Sequence, residues 1–214
     1  MAAPPLAHLV DPAHTAVVTS EVQNGVVGER SALPVLAEAA RPMVVKVGEL
    51  CVAARAAGAH VIHATGARRA DGAGSNTNAR LFLGVRRSPV SLLPGSVEVD
   101  VVPELGPEPS DLVLSRLHGL NPMAGTDLDP ILRNLGVTTI VVTGVSVNVA
   151  VTNLVMDAVN LGYQVVLPRD GVCGIPADYA DAVIDNTLAL LATITTVDEI
   201  TAAWATDSNL ENPS

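Results

Sequence analysis

Short runs of apolar, β-branched residues recur six times along the 214 residues of the chain. Each run is continuously hydrophobic, which is typical of strands that are covered on both faces. Segments with the three- and four-residue spacing of helices lie between the runs. This alternation predicts a doubly wound α/β fold: a mostly parallel six-stranded sheet with helices on both faces, connected by right-handed crossovers. The six runs are Thr15–Thr19, His60–His63, Leu112–Leu114, Thr139–Thr143, Tyr163–Leu167 and Thr193–Thr196.

The length predicts one domain, which we place at residues 14–205, after an N-terminal arm at 1–13 and before a polar tail at 206–214. Hydrophobic residues make up 49% of the chain but aromatic residues only 2%, so the core has to consist of Ala, Val, Leu and Ile. Pro42 predicts the first turn of a helix that ends at Gly58 and buries Val45, Gly48 and Val52.

The net charge and the cysteine content limit which binding partners and which cellular compartment the sequence predicts. Twenty-two acidic against twelve basic residues give a net charge of −10, which argues against binding nucleic acid through a broad basic surface. Cys51 and Cys173 provide no disulfide framework, and no secretory pattern occurs in the first eleven residues, so we expect a cytoplasmic protein. The most apolar stretch, Thr138–Val159, carries polar residues throughout, and no membrane segment is predicted.

Polar groups follow three of the predicted strands directly. Glu21 follows the first strand, Arg116 the third, and the Gly144–Ala150 turn the fourth. Because ligands bind at the carboxyl ends of parallel strands, near the point where the strand order reverses, we expect these groups to converge. Glu21 is a candidate general acid or base. Arg116 is suited either to anchoring an anionic substrate or to pairing with Glu21.

Four motifs in this order resemble the isochorismatase-like hydrolase superfamily, also called cysteine hydrolases. They are Glu21-Val22-Gln23-Asn24, Ser115-Arg116-Leu117-His118, Ala124-Gly125-Thr126-Asp127-Leu128-Asp129 and Gly144-Val145-Ser146-Val147-Asn148-Val149-Ala150-Val151. The resemblance implies a Rossmann-like sheet and a site with an acidic residue, a lysine and a cysteine nucleophile. Those three positions read Glu21, Arg116 and Ala150 here, so the family's usual nucleophile is absent.

The resemblance also implies the surroundings of the substrate. It places a non-proline cis peptide at Val145–Ser146 and backbone N–H donors along the turn that contains Val149. His118 and Asn121, which follow Arg116, and His63, at the end of the second strand, could line the pocket, although a lone histidine at a strand end more often has a structural role. We expect no metal and no other cofactor, because the segment after the second strand lacks a set of metal ligands.

Two other residues could replace the missing thiol. Ser146 does not lie in a G-x-S-x-G motif and is explained as a helix N-cap, whereas Cys173 lies at the correct edge but has no evident histidine partner. Cys51 lies within a predicted helix and is explained as a buried core residue.

The sequence therefore leaves several functions open. The first is a hydrolase that acts without a cysteine on a small, carboxylate-bearing substrate, with Glu21 as the general acid/base. The resemblance implies that family members which cleave a vinyl ether do so without the cysteine, because the acidic residue protonates the enol ether and water then attacks. The alternative is a catalytically inactive family member that binds a small molecule or serves in assembly. A third reading is amide hydrolysis by water, with Glu21 as the base. The resemblance also implies a homo-oligomer, such as a dimer or a tetramer.

Overall fold

A computed structural model describes residues 4–207 of the chain. All six predicted strands are present, and every pair of neighbouring strands is parallel. A seventh, two-residue strand pairs with the fourth and was not predicted. The strands are β1 (Thr15–Ser20), β2 (His60–Gly66), β3 (Leu112–Arg116), β4 (Thr139–Val145), β5 (Gln164–Pro168), β6 (Val172–Cys173) and β7 (Thr193–Thr195).

The sheet order is β3-β2-β1-β4-β5-β7, so β1 and β4 are the central pair at which the strand order reverses. Successive residues of β1 point to opposite faces of the sheet: Val17 belongs to one hydrophobic core, and Ala16 and Val18 belong to the other. Both faces are therefore buried, as the continuously apolar runs predicted. The doubly wound α/β architecture is confirmed.

Seven α-helices occur within residues 4–207, together with short 3₁₀ segments and one turn of π-helix. Helices α2 and α7 cover one face of the sheet, and α4, α5 and α6 pack toward the other. None of them is long and apolar enough to cross a membrane. The helices are α1 (Leu6–Leu9), α2 (Pro34–Ala57), α3 (Arg80–Arg86), α4 (Leu128–Asn134), α5 (Thr152–Asn160), α6 (Ala177–Asn186) and α7 (Val197–Asp207).

The prediction for α2 was wrong at its start and right at its end. The helix begins with Pro34 in its first turn, so Pro42 lies inside it, and it ends at Gly58, whose φ of 84° is left-handed. The buried side was also predicted wrongly, since Val45 and Val52 are 57% and 63% exposed. Apolar residues occur on both sides of this helix, and spacing alone does not decide which side faces the sheet.

The segment before β1 packs onto the last helix. Leu9 and Val10 are buried, and the indole N–H of Trp204 in α7 donates to the Val10 carbonyl at 2.7 Å. Part of the predicted N-terminal arm thus contributes to the core beneath α2. Most of the predicted polar tail, residues 208–214, lies outside the described part of the chain.

A buried polar network connects α2, β1 and β2 to the start of β3. Asp111 accepts two hydrogen bonds from the Arg55 guanidinium, at 3.0 and 2.7 Å, and lies 3.2 Å from Nε2 of His63. The other ring nitrogen of His63 lies 2.9 Å from the Thr19 hydroxyl. Burial acts to raise the pKa of Asp111, but hydrogen bonds from Arg55 and from the Glu108 N–H outweigh it, so its pKa lies below the usual value. The network is satisfied at each member, which favours one packing of these elements.

We expect Asp111→Asn to destabilise the fold by about 3 kcal/mol, because it leaves the Arg55 guanidinium without its charged partner beneath the sheet edge. Urea unfolding followed by circular dichroism measures the loss. Asp71→Asn is the matched control, since it breaks an ion pair whose two side chains are 55% and 53% exposed and should barely move the urea midpoint. Equal midpoints for the two variants would contradict a structural role for the network.

We also expect stability to fall as the pH drops below about 6.5, the ordinary pKa of histidine. Burial lowers the pKa of His63 in the folded state, although the hydrogen bond to Asp111 opposes this. The unfolded chain therefore binds the proton first, and protonation favours unfolding. Urea midpoints between pH 7.5 and 5.5 should decline less in His63→Gln than in the wild type. The exposed His8→Gln variant should keep the wild-type slope, and an unchanged slope in His63→Gln would refute the explanation.

Candidate functional site

The candidate site begins where β1 and β4 end side by side. Ser20 pairs with Gly144 in the sheet register. Gly144 has a φ of 102°, and a Cβ built there would lie 2.2 Å from the Ser20 carbonyl oxygen, so only glycine fits. Directly after Ser20, Glu21 has a φ of 56°, the one left-handed non-glycine residue among those described. Such conformations cluster at functional sites, where the surrounding structure holds them in place.

A cavity of about 580 Å³ opens at this edge, which is within the roughly 300–1,000 Å³ typical of small-molecule sites. Its lining includes Glu21, Arg116, Val145, Ser146, Val149 and Ala150, six of the residues that the sequence singled out. His118 also lines the cavity. Residues of the segment between β2 and β3, including several of α3, complete the lining.

Glu21 and Arg116 meet on the cavity wall. Nη2 of Arg116 donates to Oε1 of Glu21 at 2.5 Å. The arginine side chain is 7% exposed and the glutamate side chain 26%, so the carboxylate faces the cavity more than the guanidinium does. Nη1 of Arg116 is buried and has no hydrogen-bond partner among the described residues. A buried N–H donor without a partner is costly, and a ligand oxygen would satisfy it.

The turn after β4 is one turn of π-helix, residues Val147–Val151. The Val145–Ser146 peptide before it is cis, as the resemblance implied. Ser146 occupies the N-cap position, but its hydroxyl bonds the Asn148 side chain and not a backbone N–H, so the predicted capping bond is absent. The Val149 N–H, which we expected to contact the substrate, donates to the Ser146 carbonyl at 3.1 Å.

Ala150 is 4% exposed and lines the cavity at this turn. Its methyl group provides no nucleophile. Neither candidate substitute is placed to act as the nucleophile. Ser146 lines the cavity, but its hydroxyl is hydrogen-bonded to the Asn148 side chain, and Cys173 does not line the cavity. Burial raises the pKa of the Cys173 thiol, which disfavours the reactive thiolate. Burial likewise raises the pKa of Cys51 to about 12.

The structure does not bring His63 or Asn121 to the cavity. His63 is fully buried in the network with Asp111 and Thr19, which is the structural role that the sequence analysis weighed against a pocket role. Asn121 is also buried, where its side-chain amide donates to Asp157 at 3.1 Å and bonds Asn153. Both residues therefore lie outside the cavity, among the buried polar groups near the strand ends.

Gln23 has a positioning role that the sequence analysis did not assign. Its fully buried side chain accepts from the Gly66 N–H at 2.6 Å and donates to the Gly66 carbonyl at 2.9 Å. These two hydrogen bonds tie the ends of β1 and β2 together beside Glu21. The Oε1 atom of Glu21 would lie 3.1 Å from a Cβ at position 66. The signal was available, because Gln23 stands in the same motif as Glu21.

The cavity has the opposite charge from the rest of the molecule. Five arginines line it, Arg68, Arg80, Arg86, Arg87 and Arg116, against the single carboxylate of Glu21. With His118 neutral, the lining carries a formal charge of +4 in a chain of net charge −10. Within residues 4–207, no cluster of three or more His, Cys, Asp or Glu side chains is arranged to hold a metal. The arrangement is suited to an organic anion.

Comparison with known proteins agrees with this geometry. Residues 15–199 match the isochorismatase domain. A ureidoacrylate amidohydrolase of Pseudomonas savastanoi pv. phaseolicola is 26% identical over 91% of this chain and 85% of that protein, and one of Methylobacterium radiotolerans is 30% identical over 72% and 65%. The crystal structure of a cysteine hydrolase from Pseudomonas syringae pv. phaseolicola superimposes with a TM-score of 0.81 and 25% identity, over 96% of this chain and 99% of that one.

Proposed function

The chain belongs to the isochorismatase family of hydrolases, and we propose that it hydrolyses a small, carboxylate-bearing substrate without a cysteine nucleophile. Water is the nucleophile in this proposal, and Glu21 is the general acid/base. The observation that carries it is the Glu21–Arg116 pair on the cavity wall that also contains Ala150. The carboxylate and the guanidinium are thus present in the cavity lining, whereas the position of the family's thiol is occupied by alanine.

The ion pair favours Glu21 as a base in the first step. Nη2 of Arg116 can only donate a hydrogen bond, so the carboxylate oxygen 2.5 Å away is its acceptor. Proton donation to an enol ether requires the neutral acid, whereas activation of water requires the carboxylate. Of the readings that the sequence left open, attack by water on an amide-type bond therefore gains support. The relatives named ureidoacrylate amidohydrolases favour an amide or ureido bond as the one that is cleaved.

In the proposed reaction, Glu21 takes a proton from water while the water oxygen attacks the carbonyl carbon. The oxygen of the tetrahedral intermediate lies against the turn that contains Ala150. Glu21 then returns the proton to the leaving nitrogen as the carbon–nitrogen bond breaks. Arg116 holds Glu21 through Nη2, and its unpartnered Nη1 is available for the substrate carboxylate. Each proton that the base removes is delivered to the leaving group.

One observation favours the second candidate, a family member that binds a ligand without turning it over. Ala150 removes the nucleophile that the resemblance implies, and nothing at the described strand ends replaces it by another thiol or an activated hydroxyl. The cavity and its charge would persist in such a protein. Absence of turnover on amide, ureido and enol-ether carboxylates, together with ligand binding, would establish this candidate over the first.

We expect Glu21→Gln to reduce kcat on any identified substrate by about 100-fold or more, because general-base catalysis typically contributes that much. Steady-state kinetics with a panel of small amide and ureido carboxylates measures the effect. Glu29→Gln is the matched control, since Glu29 is exposed and lies outside the cavity, and it should retain the wild-type rate. Undiminished turnover in Glu21→Gln would refute the proposed mechanism.

We further expect no covalent intermediate at any stage of turnover. Acid-quenched samples should show only the mass of the unmodified chain, and turnover in ¹⁸O-labelled water should place one labelled oxygen in the product and none in the protein. A mass increase that maps to Cys173 or Ser146 would show that one of them is the nucleophile after all.

A further inference from the structure

The arginines that form no ion pair with a carboxylate within residues 4–207 all line the cavity. Of the twelve basic residues of the chain, eight form ion pairs with carboxylates, among them Arg55, Arg69 and Arg116. The other four form no ion pair within residues 4–207, and all four line this one cavity. They are Arg68, Arg80, Arg86 and Arg87.

This distribution differs from that of the other basic residues. The chain has twenty-two acidic residues, and all seven basic residues outside the cavity form an ion pair with one of them. Inside the cavity the single carboxylate, Glu21, already pairs with Arg116. Four further arginines therefore line the same cavity without a counter-ion among the described residues, and like charges around one cavity repel one another. A bound anion would remove that repulsion.

All four arginines belong to the segment between β2 and β3. Arg80 and Arg86 are the first and last residues of α3, and Arg87 follows directly. The Arg68 N–H donates to the Leu92 carbonyl at 2.7 Å, which closes the base of this segment, and the Asn76 side chain accepts from the Gly119 N–H at 2.9 Å, which ties the segment to the loop after β3.

Apolar side chains make up much of the remaining lining. Leu36, Phe82, Leu92, Val149 and Ile175 line the same cavity. Three more apolar residues of α3, Leu81, Leu83 and Val85, are 49%, 42% and 42% exposed. A ligand that fills this space would therefore meet Arg116, apolar side chains and the four arginines that form no ion pair.

From these observations we propose a second anion subsite, formed by Arg68, Arg80, Arg86 and Arg87, that selects substrates with two anionic groups separated by an apolar segment. The inference rests on the proposed function, since it names the substrate class of the same cavity. One carboxylate binds near Arg116 beside the bond that is cleaved. The distal anion binds the α3 arginines, whose guanidiniums suit the two oxygens of a carboxylate or a phosphate.

Isothermal titration calorimetry tests the subsite with pairs of ligands that have the same chain length: glutarate and pentanoate, adipate and hexanoate, suberate and octanoate. At the best length the dicarboxylate should bind about tenfold more tightly than the monocarboxylate. The Arg86→Gln/Arg87→Gln variant should lose most of that preference and bind the monocarboxylate as the wild type does. A 5-phosphonopentanoate arm, which has the same four methylenes as adipate, identifies the distal group, because tighter binding than adipate assigns it to a phosphate-type anion.

The control is Arg41→Gln/Arg169→Gln, which removes the same charge from exposed ion pairs outside the cavity. It should keep the preference. Equal binding of both ligand classes, no binding of any of them, or equal loss in the control would overturn the subsite. So would an intact preference in Arg86→Gln/Arg87→Gln accompanied by a changed molar mass in light scattering, because the arginines would then belong to an interface between copies.

Calorimetry needs no turnover, so the two proposals fail separately. If the wild-type protein showed no preference for dicarboxylates, the subsite would be refuted while hydrolysis by Glu21 would still stand. Full turnover in Glu21→Gln would remove the proposed mechanism and leave the preference for two anionic groups in place.

Discussion

The close approach of β1 and β4 at their carboxyl ends is the constraint on which the site depends. At Gly144 the backbone comes so near to Ser20 that no side chain can be accommodated. Both strands are buried on both faces, so neither can shift to relieve the contact. The residue after each strand is therefore fixed in direction as well as in position. Glu21 leaves β1 with a left-handed backbone, and the π-turn that contains Ala150 leaves β4 through a cis peptide.

This constraint explains how residues 95 positions apart form one functional unit. Arg116 ends β3, two strands away from β1 in the sheet order, and its long side chain spans β2 to reach Glu21. Gln23 holds the intervening strand end through both backbone groups of Gly66. The pair is therefore supported from below by the sheet and from the side by a buried amide, which is the rigidity that a catalytic carboxylate requires.

The sequence was sufficient for the strands and for the convergence of the strand-end residues, because continuous apolar runs and parallel topology determine both. It was insufficient where two arrangements have similar local energies. The apolar positions of α2 allow either side to be buried, and spacing alone placed Val45 and Val52 inside when both are exposed. The pairing of Glu21 with Arg116 depends on distances across the sheet that no local pattern records. The cytoplasmic location and the homo-oligomeric state stay predictions.

The reversed charge of the cavity has a consequence for how a substrate arrives. The molecule as a whole carries −10, so an approaching anion is repelled at long range and attracted only near the mouth. Dissolved salt screens electrostatic interactions over distances longer than the Debye length, which is about 10 Å at 0.1 M salt. Moderate ionic strength thus weakens the outer repulsion first and leaves the inner attraction largely intact. Capture of an anion should therefore be fastest at an intermediate salt concentration, unlike the monotonic decline of a simple basic cleft.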